Sequence, residues 1–236
     1  MDKTTASATM KTYSYLALGD SYTIGEQVLL PQSFPYQTMQ FLRTTPSAVK
    51  NPDGGWFEDA MQTAAGAKSH RQGLLITAPE IIATTGHTTD ELNTAINNTK
   101  LLPSYDYVSL LIGVNNQYRG RTVEDFESEF EGLIQRAIQF AGNIPNHVFV
   151  LSIPDWGVTP FAVERDTAKI ATEIDAYNLV CKNAAVKYET HFIDITTSQR
   201  IDGNKEEFLA VDKLHPSAKE YKKWARLLAE KISTAL

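Results

Sequence analysis

Short runs of apolar and β-branched residues alternate along this chain with longer stretches in which apolar positions recur every three or four residues. Five runs read as strands: SYLALG (14–19), EIIATTG (80–86), YVSLLIG (107–113), HVFVLSI (147–153) and HFIDI (191–195). Between the third and fourth, Phe126, Phe130, Leu133, Ile134, Ala137 and Ile138 fall on one helical face. Ile170, Ile174, Tyr177, Cys181, Ala184 and Tyr188 do the same before the fifth, and Tyr221, Trp224, Ala225, Leu228 and Ile232 close the chain with a third stripe. Strands apolar on both faces and separated by helices predict a mainly parallel sheet with helices on each side. The fold class expected is therefore α/β, a three-layer α/β/α sandwich around a five-stranded parallel sheet.

One region departs from the alternation. Residues 44–72, TTPSAVKNPDGGWFEDAMQTAAGAKSHRQ, begin with Pro and Gly punctuation and then place Trp56, Phe57 and Met61 at helical spacing. They read as a helical insertion packed on the body, with a lid or a dimer contact as the competing readings.

With 236 residues and 42% hydrophobic content the chain is expected to bury one core as a single domain over 1–236, its polar first 11 residues flexible. A formal charge of −6 argues against nucleic acid and anionic membrane surfaces, which call for clustered Lys and Arg. Neutral small molecules remain as ligands. The single cysteine, Cys181, excludes an internal disulfide, and on its apolar stripe it reads as a small buried hydrophobe. No apolar run has the length of a membrane span, and MDKTTASATMK has no signal-peptide core, so no stable membrane insertion is expected. A cytoplasmic location is the default, with a periplasmic or secreted one open if a leader has been removed. The sequence leaves the oligomeric state open.

In a parallel α/β sheet the loops leaving the carboxyl ends of the strands converge on one rim, where ligands bind. The first such loop is Gly19-Asp20-Ser21, the second carries Gly86 in TTGHTTDEL, the third carries Asn115 in GVNNQYRG, and the last carries Asp212 and His215 in VDKLHPSAKEY. These residue types suit one chemistry. A serine hydroxyl becomes a nucleophile when a base takes its proton, and the base needs an acceptor on its other nitrogen. His215 is the candidate base and Asp212 its orienter, three residues apart as on a helical turn, with Pro216 suited to the first position of a helix. The negative oxygen of an acyl-transfer transition state wants preset donors. The N–H groups of Ser21 and Gly86 and the amide of Asn115 are candidates. Asp194 is a competing orienter; His87 and Trp156 are candidate substrate contacts.

From LALGDSYTIGE through GHTTDEL and GVNNQYRG to DKLHPS, the chain resembles the SGNH hydrolases, also called GDSL esterases and lipases. The resemblance implies a flavodoxin-like sheet, Ser21 as nucleophile, Gly86 and Asn115 as oxyanion donors, and Asp212 and His215 completing the triad. It further implies hydrolysis of esters or thioesters, lysophospholipids and acetylated sugars among them, without metal or organic cofactor. Two positions depart from the family's pattern: Asn116 stands where it has Asp after the asparagine, and Tyr22 where it has Leu after the serine. The 44–72 segment exceeds the family's common connection and is a candidate for substrate selectivity.

Other chemistries lack their motifs. Around Ser21 there is no Gly-x-Ser-x-Gly elbow, Glu26 follows Gly25 where a phosphate loop needs Lys, and His-Glu-x-x-His is absent. A serine esterase is the reading adopted. A flavodoxin-like binding module without turnover and an acyltransferase using the same triad are the alternatives.

Overall fold

A computed structural model gives the structure of the chain and describes residues 11–44 and 74–235. The expected five-stranded sheet is present and wholly parallel. Its strands are β2 (Tyr15–Gly19), β4 (Glu80–Ala83), β5 (Tyr107–Leu111), β6 (Val148–Leu151) and β7 (His191–Ile193), in the spatial order β4-β2-β5-β6-β7. A separate two-residue pair joins β1 (Thr12–Tyr13) to β3 (Leu75–Ile76). The central strands carry apolar residues on both faces because both faces are covered: Tyr15, Leu16, Ala17 and Leu18 lie beside Tyr107, Val108, Ser109 and Leu110, all buried. Ser109 is the polar exception inside this layer, and its hydroxyl is satisfied by the Tyr15 hydroxyl at 2.8 Å.

The strand order reverses direction at β2. Right-handed crossovers therefore send the helices between β2 and β4 to one face and those between β4 and β7 to the other, and the last helix returns to the first face. α2 (Phe34–Thr44) packs on α8 (Ala218–Ala235), while α3 (Thr89–Asn97), α5 (Val123–Phe140) and α6 (Thr167–Lys187) pack in series. The three helical stripes read from the sequence are the buried faces. Tyr221, Trp224, Ala225, Leu228 and Ile232 are fully buried on α8, and burial of each larger side chain contributes about 1.5–3 kcal/mol. Thr122 starts α5 by accepting from the Asp125 N–H at 3.1 Å, and Asp166 starts α6 by accepting from the Lys169 N–H at 3.0 Å. Cys181 is buried on its stripe, and burial pushes its thiol well above the usual range.

α2 escapes the sequence reading because its inner face mixes Phe34, Met39 and Leu42 with buried Gln37 and Thr38. The polar pair is accommodated by hydrogen bonds: the Gln37 amide donates to the Gln32 and Ala218 carbonyls and the Thr38 hydroxyl to Phe34 O. β2 ends at Gly19 as its apolar run does, and the other four strands are shorter at the carboxyl end than the runs that announced them. Residues 84–86, 112–113 and 152–153 belong instead to the rim loops. Of the insertion read at 44–72 only Thr44, the last residue of α2, is described; Trp56, Phe57 and Met61 lie outside the described residues, as do residues 1–10.

Candidate active site

The chain leaves β2 at Gly19 and turns at once into α1 (Ser21–Ile24), a single helical turn. Asp20 makes that turn possible: its Oδ1 accepts from the Tyr22 N–H at 3.0 Å, and Gly25 ends the turn in the left-handed region at φ +76°. Ser21 is thus the first residue of a turn braced at both ends. Burial pushes the Asp20 carboxyl up to about 7, against the Tyr22 N–H, which favours the charged form.

His215 arrives by a different device from the one the sequence suggests. It lies in no helix, and Pro216 is not the first residue of one, because α8 begins at Ala218. Pro216 instead forms an isolated bridge with Leu209, flanked by the Ala210 N–H on His215 O at 2.8 Å and the Ser217 N–H on Phe208 O at 2.9 Å. Inside this closed loop Asp212 Oδ1 accepts the N–H groups of both Leu214 and His215, each at 3.0 Å. That is the turn-forming habit of aspartate rather than helical spacing, and it serves the same pairing.

Asp212 Oδ2 then lies 2.6 Å from His215 Nδ1, and His215 Nε2 lies 2.9 Å from Ser21 Oγ. The carboxylate assigns the imidazole proton to Nδ1, which leaves the Nε2 lone pair to accept from the serine hydroxyl. Burial raises the Asp212 carboxyl, but the His215 ring and the two N–H donors outweigh it and hold it below its usual value. Tyr22 lies beside the imidazole with ring centroids 5.1 Å apart and is itself buried against Trp224. The residue after the serine is therefore a wall of the histidine's seat, which a ring fills. Asp194, the competing orienter, is engaged elsewhere: it accepts from the Thr197 N–H at 3.0 Å and the Thr197 hydroxyl at 2.6 Å, in the first turn of α7 (Thr196–Asp202).

Gly86 and Asn115 line the same cavity as Ser21. Gly86 sits at φ +88°, a region that disfavours any residue with a Cβ. Asn115 is the second residue of α4 (Val114–Tyr118), which starts at Gly113 with φ +129°, where a Cβ would meet the Phe126 ring and Ile153. Asn115 Nδ2 donates to His87 O at 3.0 Å, tying α4 to the Gly86 loop. Asn116 is fully buried and clamps Thr89 with both ends of its amide, Oδ1 accepting the Thr89 N–H at 3.1 Å and Nδ2 donating to Thr89 Oγ1 at 2.7 Å. The second of these bonds needs a donor that a carboxylate lacks, and Thr89 passes its own proton to Glu129.

Ser21, Gly86, Asn115 and His215 open onto one cavity of about 240 Å³. Val114, Tyr118, Trp156, Phe161 and Leu214 supply its apolar walls. Trp156 is a wall, as the sequence suggests, and its orientation is set from behind: the indole N–H donates to Gln117 Oε1 at 2.7 Å, and the Gln117 amide donates to Glu173 at 2.8 Å. The ring meets Tyr118 edge-on at 5.3 Å and Phe161 at 6.1 Å. Tyr118, the last residue of α4, and Phe161, in a single 3-10 turn, carry no signal in the sequence, because their approach to Trp156 depends on the fold. His87 is half-buried and contributes its main-chain carbonyl to Asn115; its ring is not among the cavity walls.

The sequence matches the GDSL-like Lipase/Acylhydrolase family over residues 17–223. A lipase/acylhydrolase from Enterococcus faecalis superposes with a TM-score of 0.64 at 20% identity, covering 95% of this chain and 96% of its own. The acetylxylan esterase Axe2 from Geobacillus stearothermophilus gives 0.64 at 16% identity, covering 93% and 94%, and TesA gives 0.60 at 15% identity, covering 96% and 100%. Among curated proteins none matches the sequence. The family match spans most of the chain, from the strand that leads to Ser21 to the helix that follows His215, and the protein is a hydrolase belonging to the GDSL-like lipase/acylhydrolase family.

Proposed function

We propose that the protein is a serine esterase that cleaves carboxylic esters through an acyl-enzyme. The observation that carries this reading is the unbroken line from Asp212 through His215 to Ser21 Oγ, with contacts of 2.6 and 2.9 Å, ending at a cavity beside Gly86 and Asn115. Ser21 Oγ attacks the ester carbonyl carbon while its proton moves to His215 Nε2. The resulting imidazolium is stabilised by Asp212, and the carbonyl oxygen, now negative, is met by the N–H groups of Ser21 and Gly86 and the Asn115 amide. His215 returns the proton to the leaving alcohol. A water, deprotonated by the same nitrogen, then attacks the acyl-enzyme and releases the acid and Ser21.

The walls suit an uncharged acyl group of modest size. They are apolar, and the one N–H of Trp156 is turned away to Gln117. An acetyl ester of the kind named for Axe2 fits this description. The test is release of p-nitrophenol from p-nitrophenyl acetate. The protein should turn the ester over, and Ser21→Ala should lower kcat by at least about 10⁴-fold while melting at an unchanged temperature. Turnover by Ser21→Ala equal to that of the unaltered protein would reject the reading.

A further inference from the structure

We infer that Arg119 is a positioning residue for ester cleavage, a latch that sets the Gly86 N–H by holding the peptide that follows it. The inference rests on the serine-esterase reading and deepens it.

Arg119 caps the carboxyl end of α4, one turn beyond Asn115. Its guanidinium makes two directed contacts: Nη2 donates to Gly86 O at 2.7 Å, and Nη1 donates to Glu91 Oε1 at 2.9 Å. Glu91 Oε2 in turn accepts the Thr88 N–H at 2.9 Å, at the start of α3. The guanidinium and the Thr88 N–H hold the Glu91 carboxyl below its usual value. One cation therefore bridges the Gly86 loop, the helix that follows it and the helix that carries Asn115.

The backbone of the loop shows why that matters. The Gly86–His87 peptide is held at both ends, its carbonyl by Arg119 and its N–H by Thr84 O at 3.1 Å. The next carbonyl, that of His87, is held by Asn115 Nδ2 at 3.0 Å. Glycine has the widest freedom of φ and ψ, so at Gly86 the direction of the N–H is fixed by these outside contacts and by no side chain of its own. α4 thus grips two successive carbonyls of the loop from its two ends, and Asn115 and the Gly86 N–H move as one unit. An oxyanion donor is worth its full effect only when preset to the position the charge will occupy.

The latch is exposed: the Arg119 and Glu91 side chains are 43% and 41% accessible. An exposed pair contributes little to folding stability, which separates positioning from mere structure. Arg119 itself is not a wall of the cavity, so its loss should act on turnover and not on binding.

The experiment compares kcat, KM and Tm for p-nitrophenyl acetate in the unaltered protein, Arg119→Ala, Arg119→Lys and Glu91→Gln, with Ser21→Ala run beside them. Arg119→Ala should lower kcat about tenfold or more, leave KM within about twofold, and shift Tm by no more than about 2 °C. Arg119→Lys, which keeps one charged donor and loses the fork, should fall between. Glu91→Gln should give a smaller loss in kcat than Arg119→Ala. An unchanged kcat in Arg119→Ala overturns the latch, as does a loss of kcat that tracks a fall in Tm or appears as a rise in KM. Failure of the esterase reading is visible separately, as Ser21→Ala turning over like the unaltered protein.

Discussion

Between the last residue of β2 and the Ser21 hydroxyl stands a buried carboxyl, Asp20, with one oxygen on the Tyr22 N–H and the other, Oδ2, without a hydrogen-bond partner among the described residues. Burial raises it from 3.8 to about 7. The folded chain therefore holds a proton that the unfolded chain releases between those two values. The contribution of this group is fully present below about pH 4 and is lost as pH rises through about 7, beyond which the folded state carries a buried, half-satisfied charge. Asparagine caps a helix as well as aspartate does and carries no charge. Asp20→Asn should accordingly melt above the unaltered protein at pH 8.5 and level with it below about pH 4. A Tm difference that does not change with pH would show that Asp20 does not titrate in this way. The identity of Tyr22 is plain in the sequence, but its place beside the imidazole depends on a loop near the other end of the chain.

At the scale of elements, the rim is built from loops whose backbones are held by their neighbours. Gly86 is the sharpest case, since a Cβ there has open space, with Arg119 Nη2 the nearest atom at 3.5 Å, and meets only the strain of φ +88°. Gly86→Ala should cost about 1–3 kcal/mol in stability and should lower kcat on p-nitrophenyl acetate beyond what Tm accounts for, by about tenfold or more, because the strain is relieved by turning the peptide. An unchanged kcat would remove the Gly86 N–H from the chemistry. The helical stripes of α5, α6 and α8 were legible from spacing alone, since each buries one continuous apolar face. α2 was not, because Gln37 and Thr38 interrupt its inner face and find partners only in the fold. The loop around His215 is not the helix start that the sequence suggests: Pro216 fits that position chemically, but the Leu209 bridge and the Asp212 turn hold the segment in a closed, non-helical loop until Ala218. Arg119, Gln117 and Phe161 gave no sign at all. A charge, an amide or a ring on such short elements acquires meaning only from what the sheet brings opposite it.

For the whole molecule, strand order does the assembling. With β2 between β4 and β5, the loops after these three strands bring Ser21, Gly86 and Asn115 to one cavity. The chain then runs to the far edge of the sheet and returns through the 209–217 loop to set His215 on Ser21, 194 positions away. The order of the four sequence blocks made that convergence legible. The contacts that hold it rigid were not, because they join segments far apart in the chain. On the serine-esterase reading, this return makes the Ser21 hydroxyl a nucleophile. Its most direct measurement is covalent labelling by a fluorophosphonate, followed by intact mass and peptide mapping, in the unaltered protein and in His215→Ala. One adduct on the peptide containing Ser21, formed at least about a hundredfold more slowly in His215→Ala, is the result expected. An adduct on any other residue, or labelling of Ser21 at the same rate without His215, would contradict the account.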